Sequence, residues 1–211
     1  MTSIIQKIDQ IIEERSLLKH PFYEMWSDGK LEFDSLAGYS KEYFQLVKQV
    51  PKFMEPLVDF APDEMKDELI FNMNEETEHI ELWKKFAGEM HISGDELLKY
   101  QGLEKTNRAV SDLSSLMNSL NLGACAMYAF EKEIPKISEI KLEGLKEFYG
   151  LDSKDATEYF RQHMEADIRH TASWRKIVEQ SSETDTEIIE TAKKSVSAQN
   201  LLLDSCLEEY C

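Results

Sequence analysis

The sequence predicts an all-α fold in one domain that spans residues 1–211. Apolar residues recur at helical spacing along nearly the whole chain, for example Ile4, Ile8 and Ile11 in the first segment. No stretch sustains the apolar and polar alternation of a half-buried strand. The chain has 211 residues, of which 42% are hydrophobic, and neither a repeat nor a low-complexity linker divides it. This length is enough to bury one substantial core.

Turn-forming residues separate the helical segments in order along the chain. The breaks are His20-Pro21, Ser27-Asp28-Gly29, Ala61-Pro62-Asp63, Ser93-Gly94-Asp95 and Gly150 to Ser153. Between them we predict helices at about Ser3–Leu18, Phe22–Ser27, Asp34–Phe60, Asp63–Met90, Asp95–Tyr100, Asn107–Leu120, Leu122–Phe148, Ser153–Gln180 and Asp185–Glu209. Pro51 and Pro56 are expected to bend the third of these segments and Pro135 the seventh, because proline removes a backbone donor and clashes with the preceding turn.

Charge and cysteine usage exclude several classes of function. A formal net charge of −17 argues against nucleic acids and anionic membranes as partners, since both attract clustered Lys and Arg. The sequence contains no apolar run of the length that spans a bilayer and no signal peptide, so we expect no membrane partner. Cys125, Cys206 and Cys211 include no CxxC pair, which argues against a disulfide framework and favours a reducing cytoplasm.

The segment HMEADIRH points to metal chemistry. It places His163, Asp167 and His170 at offsets of zero, four and seven, so that three potential ligands share one face of a helix. Two imidazoles and a carboxylate suit a divalent metal, in particular iron or manganese where further carboxylates complete the site. The alternative for these three residues alone is surface ion pairing with Arg161 or Arg169.

Two more segments carry polar residues at inward positions. Glu76 falls within the apolar stripe of the fourth predicted helix and His79 lies beside it, while Glu131 follows Tyr128 and Phe130 in an otherwise apolar segment. A carboxylate that points into an apolar bundle costs several kcal/mol unless it is paired or binds a cation.

Together the three segments supply three carboxylates and three imidazoles. These candidate metal ligands are Glu76, His79, Glu131, His163, Asp167 and His170. This is the ligand supply of a dinuclear metal-carboxylate oxidase, with room left for water or oxygen.

Four motifs carry a resemblance to a known family: HPFYEMW, NMNEETEHIELW, YAFEKEIPKISEIK and HMEADIRH. In order and spacing they resemble the CADD-type proteins in the TenA/PqqC branch of the heme-oxygenase-like proteins. The resemblance implies a compact heme-oxygenase-like helical bundle and two metal ions, Fe/Fe or Fe/Mn, held by the six residues above. It also implies dioxygen and an external reductant as cosubstrates, and a homodimer.

The activity implied by the resemblance is synthesis of 4-aminobenzoate, the aromatic part of folate, by a protein that consumes itself. An internal tyrosine is oxidised and cleaved to supply the ring, and Tyr23 in HPFY matches its position. An internal lysine supplies the amino nitrogen, and Lys141 matches it. Tyr39 and Tyr43 are further oxidisable phenols that could line the pocket or conduct electrons.

One departure from the family concerns the first glutamate ligand. The stretch NEETEH is shorter here than in CADD-type relatives, so Glu75 competes with Glu76 for this role. We favour Glu76, because Met73 and Leu69 lie three and seven positions before it in the inward stripe.

Two other functions compete with self-sacrificing synthesis. One is a turnover enzyme on the same scaffold, either a dimetal oxidase or a PqqC-like cofactor-free oxidase, that acts on an external small molecule. The other is a binding protein, suggested by the family's association with death domains, for which the sequence offers no interface. A fold hosts many reactions, so the choice depends on the site residues.

Overall fold

A computed structural model of the protein describes residues 3–211, and this part of the chain contains helices and no strand. The predicted all-α fold is thereby confirmed for these residues, while Met1 and Thr2 of the predicted domain lie outside them. The helices are α1 (Ile4–Glu14), α2 (Pro21–Ser27), α3 (Phe33–Val47), α4 (Val50–Phe60), α5 (Asp63–Gly88), α6 (Gly94–Lys99), α7 (Glu104–Ser115), α8 (Leu120–Glu131), α9 (Ile134–Glu147), α10 (Lys154–Glu179) and α11 (Asp185–Tyr210). A short 3-10 helix, Leu17–Lys19, follows α1.

Two long helices organise the bundle around one core. Helix α10 packs against α5, α8 and α9, and α11 packs against α1, α3, α7 and α8. Three fully buried tryptophans, Trp26, Trp83 and Trp174, are among the largest side chains in this core. None of the helices within residues 3–211 combines the length and apolarity needed to cross a bilayer.

Proline divides two of the predicted helices instead of bending them. The third predicted segment is two helices, α3 and α4, and the seventh is also two, α8 and α9. Pro51 and Pro135 each occupy the second residue of the new helix, where the missing backbone N–H has no intrahelical partner to lose. Pro56 lies inside α4, which continues past it. The division places Glu131 at the last residue of α8 and leaves Lys141 on a separate helix.

Candidate metal centre

The six predicted ligands come together at the contact of α5, α8 and α10. Glu76 and His79 lie one turn apart on α5, Glu131 ends α8, and the remaining three lie on one face of α10. All six are at most 5% exposed. The helical offsets read from the sequence therefore do bring these side chains to one place.

Two groups of potential ligand atoms share one residue. Glu76, His79 and His163 form the first group, and Glu76, Glu131, Asp167 and His170 form the second. Within each group the ligand atoms lie within 4.8 Å of one another. Because Glu76 belongs to both groups, the arrangement suits two neighbouring cations that share one carboxylate.

Several buried polar atoms of this cluster have no hydrogen-bond partner within the described part of the chain. They are Nδ1 of His79, Oε1 of Glu131, both carboxylate oxygens of Asp167, and Nδ1 of His170. Each such group costs about 1–3 kcal/mol when it is left unpaired. Bound cations would satisfy all five atoms, and the three carboxylates would offset most of the charge of two divalent ions. The residues present therefore fit a metal pair.

The electrostatics of the centre fit cation binding as well. Burial raises the pKa values of Glu131 and Asp167 and lowers the pKa of His163. Burial opposes the charge on His170, but the nearby carboxylates of Asp167 and Glu76 outweigh this effect and raise its pKa to about 11. In the metal-free state a proton on His170 thus partly neutralises the carboxylates, and a metal would displace it.

A side chain and a backbone carbonyl of α10 orient two of the predicted ligands. The indole Nε1 of Trp174 donates a hydrogen bond of 2.8 Å to Oε2 of Glu131. Nδ1 of His163 lies 2.9 Å from the carbonyl oxygen of Tyr159, which can only accept, so Nε2 of His163 is free to bind a metal. The sequence analysis missed both contacts. Tyr159 lies four residues before His163 and Trp174 four after His170, so the face defined by HMEADIRH would have revealed them.

Glu75 lies at the edge of the centre. Its side chain is 24% exposed and belongs to neither ligand group. Its carboxylate contacts Arg169 and the outer nitrogen of His170. This placement favours Glu76 over Glu75 as the ligand, although metal binding by the six residues stays a prediction.

A small chamber adjoins the centre. It is lined by Glu76, Glu131, His163 and Asp167, and on its apolar side by Tyr43, Tyr159 and several aliphatic residues. The centre of a water-sized molecule has about 10 Å³ in which to move, which is room for about one water. The chamber therefore admits only a molecule of about the size of water and is too small for an aromatic ring.

Tyr23, Tyr39 and Lys141 form a second buried cluster, formed by α2, α3 and α9. They are 3%, 0% and 4% exposed. Nζ of Lys141 lies 4.5 Å from the ring centroid of Tyr23 and 4.7 Å from that of Tyr39, and it donates a hydrogen bond to the Tyr39 hydroxyl. The two tyrosine hydroxyls are 3.4 Å apart. The amine is thus confined against two phenols.

Burial determines the protonation states in this second cluster. It lowers the pKa of the Lys141 amine well below its ordinary value. Burial also raises the pKa values of Tyr23 and Tyr39, and that of Tyr43 beside the chamber. The cluster therefore favours a neutral amine next to neutral phenols.

Tyr43 connects the second cluster to the chamber. Its ring lies against that of Tyr39, with centroids 5.2 Å apart, and against Trp83, with centroids 4.9 Å apart. Trp83 in turn lies 4.6 Å from the ring of Tyr159, centroid to centroid. A continuous aromatic contact thus runs from the chamber to Tyr39 and Tyr23.

Fold and site together define a helical-bundle protein with a buried carboxylate-histidine cluster that fits a metal pair. Residues 37–200 match the sequence profile of a family described as "Iron-containing redox enzyme". The 4-aminobenzoate synthase of Chlamydia muridarum is 30% identical over 214 residues, which cover 98% of this chain and 91% of that protein. The protein of the same name from Nitrosomonas europaea is 30% identical over 225 residues, which cover 98% of this chain and 92% of its own.

Solved structures share the fold at lower identity. A TenA homologue from Pseudomonas syringae has a TM-score of 0.86 at 16% identity and covers 98% of this chain and 93% of its own. A heme-oxygenase-like domain from Shewanella denitrificans has a TM-score of 0.76 at 16% identity and covers 98% of this chain and 90% of its own. A CADD-like protein of unknown function from Nostoc punctiforme has a TM-score of 0.76 at 20% identity and covers 99% of this chain and 97% of its own. The chain therefore belongs to the family of iron-containing redox enzymes and has a heme-oxygenase-like fold.

Proposed function

We propose that this protein is an oxygen-dependent dimetal oxidase that makes 4-aminobenzoate for folate synthesis and takes the product from its own chain. Tyr23 is the source of the ring and Lys141 the source of the amino group. The observation that carries this proposal is the buried position of the Lys141 amine, 4.5 Å from the centroid of the Tyr23 ring. The name of the relatives that share 30% of the sequence supports the product.

The substitution pattern of the product matches that of tyrosine. 4-Aminobenzoate carries its carboxylate and amine on opposite ring carbons, as tyrosine carries Cβ and its hydroxyl. Release of the ring breaks the Cα–Cβ bond of Tyr23, and Cβ becomes the carboxylate carbon. The ring carbon loses its bond to the hydroxyl oxygen and gains a bond to Nζ of Lys141, which loses its bond to Cε. Oxidation of Cβ to a carboxylate, with a hydrogen left on Cα, removes four electrons, and oxidation of Cε to an aldehyde removes two. Two molecules of dioxygen take up these six electrons and two more from the external reductant. The oxygen atoms of dioxygen and of the tyrosine hydroxyl end in the carboxylate, the aldehyde and two waters.

Two bound ions, Fe/Fe or Fe/Mn, would supply the activation of dioxygen that oxidation of a phenol requires. Glu76, His79, Glu131, His163, Asp167 and His170 would hold them. The chamber beside these residues has one apolar wall and leaves space for a small molecule of about the size of water.

The residues around Lys141 prepare it to act as a nucleophile. An amine attacks through its lone pair, which only the neutral form has, and burial favours that form. The hydrogen bond to the Tyr39 hydroxyl fixes Nζ beside the ring of Tyr23. The same hydroxyl lies 3.4 Å from that of Tyr23, so Tyr39 is positioned to pass a proton between the phenol and the amine.

The size of the chamber disfavours an oxidase of an external aromatic molecule. Pockets that take drug-sized ligands have about 300–1,000 Å³, and this chamber holds about one water. An internal tyrosine needs no such pocket, because folding already places it. Tyr43 lies between the chamber and Tyr39, so electrons can pass from the second cluster to the chamber through aromatic rings in contact.

Oxygen exposure without an added aromatic substrate tests this proposal. The protein is loaded with Fe(II), or with Fe(II) and Mn(II), under anaerobic conditions and then exposed to dioxygen and a reductant. We expect 4-aminobenzoate, at most one molecule per chain, and a loss of mass that peptide mapping places at Tyr23. Less than about one equivalent of bound iron plus manganese would contradict both the self-sacrificing and the turnover form of a dimetal oxidase.

Single substitutions assign the two sources. Tyr23→Phe and Lys141→Arg should yield no product, whereas Lys136→Arg, on the exposed side of the same helix, should behave as wild type. The ring centroid of Tyr39 lies 4.7 Å from the Lys141 amine, almost as near as that of Tyr23. Tyr39→Phe is therefore included to test whether Tyr39 is the ring source instead. Product from Tyr23→Phe but not from Tyr39→Phe would show that the assignment to Tyr23 is wrong. Many turnovers per chain would favour an external substrate.

A further inference from the structure

A surface ion pair closes the outer side of the metal centre. Arg169 donates two hydrogen bonds to the carboxylate of Glu75, at 3.0 and 2.8 Å. The guanidinium also lies 5.6 Å from the ring centroid of Phe71. The side chains of Arg169 and Glu75 are 50% and 24% exposed, so the pair stands between solvent and the buried centre.

Glu75 connects this pair to His170. Its Oε2 lies 3.0 Å from Nε2 of His170, a residue that is completely buried. The other ring nitrogen, Nδ1, lies 3.4 Å from Glu76 and 3.5 Å from Asp167, without a hydrogen bond to either. The His170 ring therefore spans the distance between the surface pair and the ligand group.

A neutral imidazole has one nitrogen that donates and one that accepts. An ionised carboxylate only accepts, so contact with Glu75 requires a proton on Nε2, and Nδ1 carries the lone pair once the imidazole is neutral. That lone pair faces Glu76 and Asp167, where a cation would be bound. The bidentate hydrogen bond from Arg169 fixes the orientation of the Glu75 carboxylate.

The other imidazole on α10 is oriented the opposite way. His163 contacts the Tyr159 carbonyl through Nδ1, which leaves Nε2 toward Glu76 at 3.9 Å. Helix geometry alone thus fixes His163, because its partner lies four residues earlier on the same helix. His170 depends instead on a carboxylate from α5.

From these contacts we infer that Glu75 is a positioning residue, which holds His170 with Nδ1 toward the metal, and that Arg169 supports it. Glu75 is thus an outer partner of one metal ligand and not a ligand itself. This inference rests on the proposed metal-dependent function. Loss of such an outer partner typically weakens metal binding about 10- to 100-fold.

Titration with Co(II), without oxygen or iron, tests this role through metal affinity and the absorption spectrum of the bound ion. In wild type we expect two bound Co(II). His170→Ala should remove one of them and His79→Ala the other, which identifies each site. Glu75→Ala should weaken only the site that His170→Ala removes, by about 10- to 100-fold, and leave the other unchanged within about twofold.

A graded comparison separates positioning from loss of structure. Glu75→Gln keeps a carbonyl oxygen that can accept from Nε2, so its affinity at that site should lie between those of wild type and Glu75→Ala. Glu78→Ala, an exposed change on the same helix, should bind as wild type does. Equal weakening at both sites, or wild-type affinity in Glu75→Ala, would overturn the inference. Failure of the wild type itself to bind Co(II) would instead count against the proposed function.

Discussion

Replacement of Lys141 by methionine should stabilise the protein while it abolishes product formation. Lys141 is 4% exposed, and burial lowers the pKa of its amine. Methionine has a similar length and no amine to desolvate. Burial of a polar group in apolar surroundings costs about 1–3 kcal/mol in mutational data, and methionine avoids this cost. The lost hydrogen bond to Tyr39 costs about 1 kcal/mol, which leaves a net gain of about 0–2 kcal/mol.

The pH dependence of this gain has a definite sign. The unfolded chain keeps the ordinary lysine pKa, near 10.4, whereas the folded state has a lower one. Between the lowered pKa of the folded state and pH ~10.4, the unfolded state of wild type therefore binds more protons than the folded state. The free energy of unfolding of wild type rises with pH in this range, by up to about 1.4 kcal/mol per unit. Lys141→Met lacks this dependence, so its advantage should shrink as the pH rises from 7 toward 10.

Thermal unfolding of the metal-free protein, followed by circular dichroism at pH 7 and pH 9, measures both effects. A gain of 1 kcal/mol raises the midpoint by about 2–4 °C in a chain of this size. The exposed control Lys136→Met should change the free energy of unfolding by no more than about 0.5 kcal/mol. A midpoint for Lys141→Met that falls by several degrees, or a difference from wild type that does not change with pH, would refute the reasoning.

Three further predictions follow from the packing and the ligand groups. Glu76→Ala should abolish binding of both metals, because Glu76 belongs to both groups; calorimetry that finds one tight site left would contradict this. Gly123→Ala should lower the thermal midpoint, because the new Cβ would lie 2.2 Å from Cδ2 of the buried Leu57 and overpacking costs about 1–3 kcal/mol; Gly88→Ala, with nothing within 4 Å, is the matched control. Trp174→Phe removes the indole donor to the α8 carboxylate and should weaken metal binding about 10-fold or more in a competition assay.

Helical periodicity was sufficient to predict the fold class and most helices, and it failed where proline decided between a bend and a break. Both outcomes remove the same backbone donor, and only the packing of the following helix decides between them. At Pro51 and Pro135 the chain begins a new helix, whereas at Pro56 it continues the old one. The sequence alone carries no signal for that difference.

The candidate site was predictable to the extent that its residues share a helix face. The spacing of His163, Asp167 and His170 required only helix geometry. The burial of Lys141 is against the usual behaviour of lysine, and only the resemblance to relatives indicated it. The role inferred for Glu75 depends on how α5 and α10 pack together, which no local pattern encodes. The cytoplasmic location and the homodimer stay predictions.

Isotope labelling of the protein itself tests the central claim most directly. The chain is produced with ¹³C-tyrosine and ¹⁵N-lysine, loaded with iron or with iron and manganese, and exposed to dioxygen and unlabelled reductant. If Tyr23 and Lys141 are consumed, mass spectrometry should find 4-aminobenzoate with ¹³C in every carbon and ¹⁵N in the amine. Unlabelled 4-aminobenzoate would contradict the claim, because its atoms would then come from outside the chain.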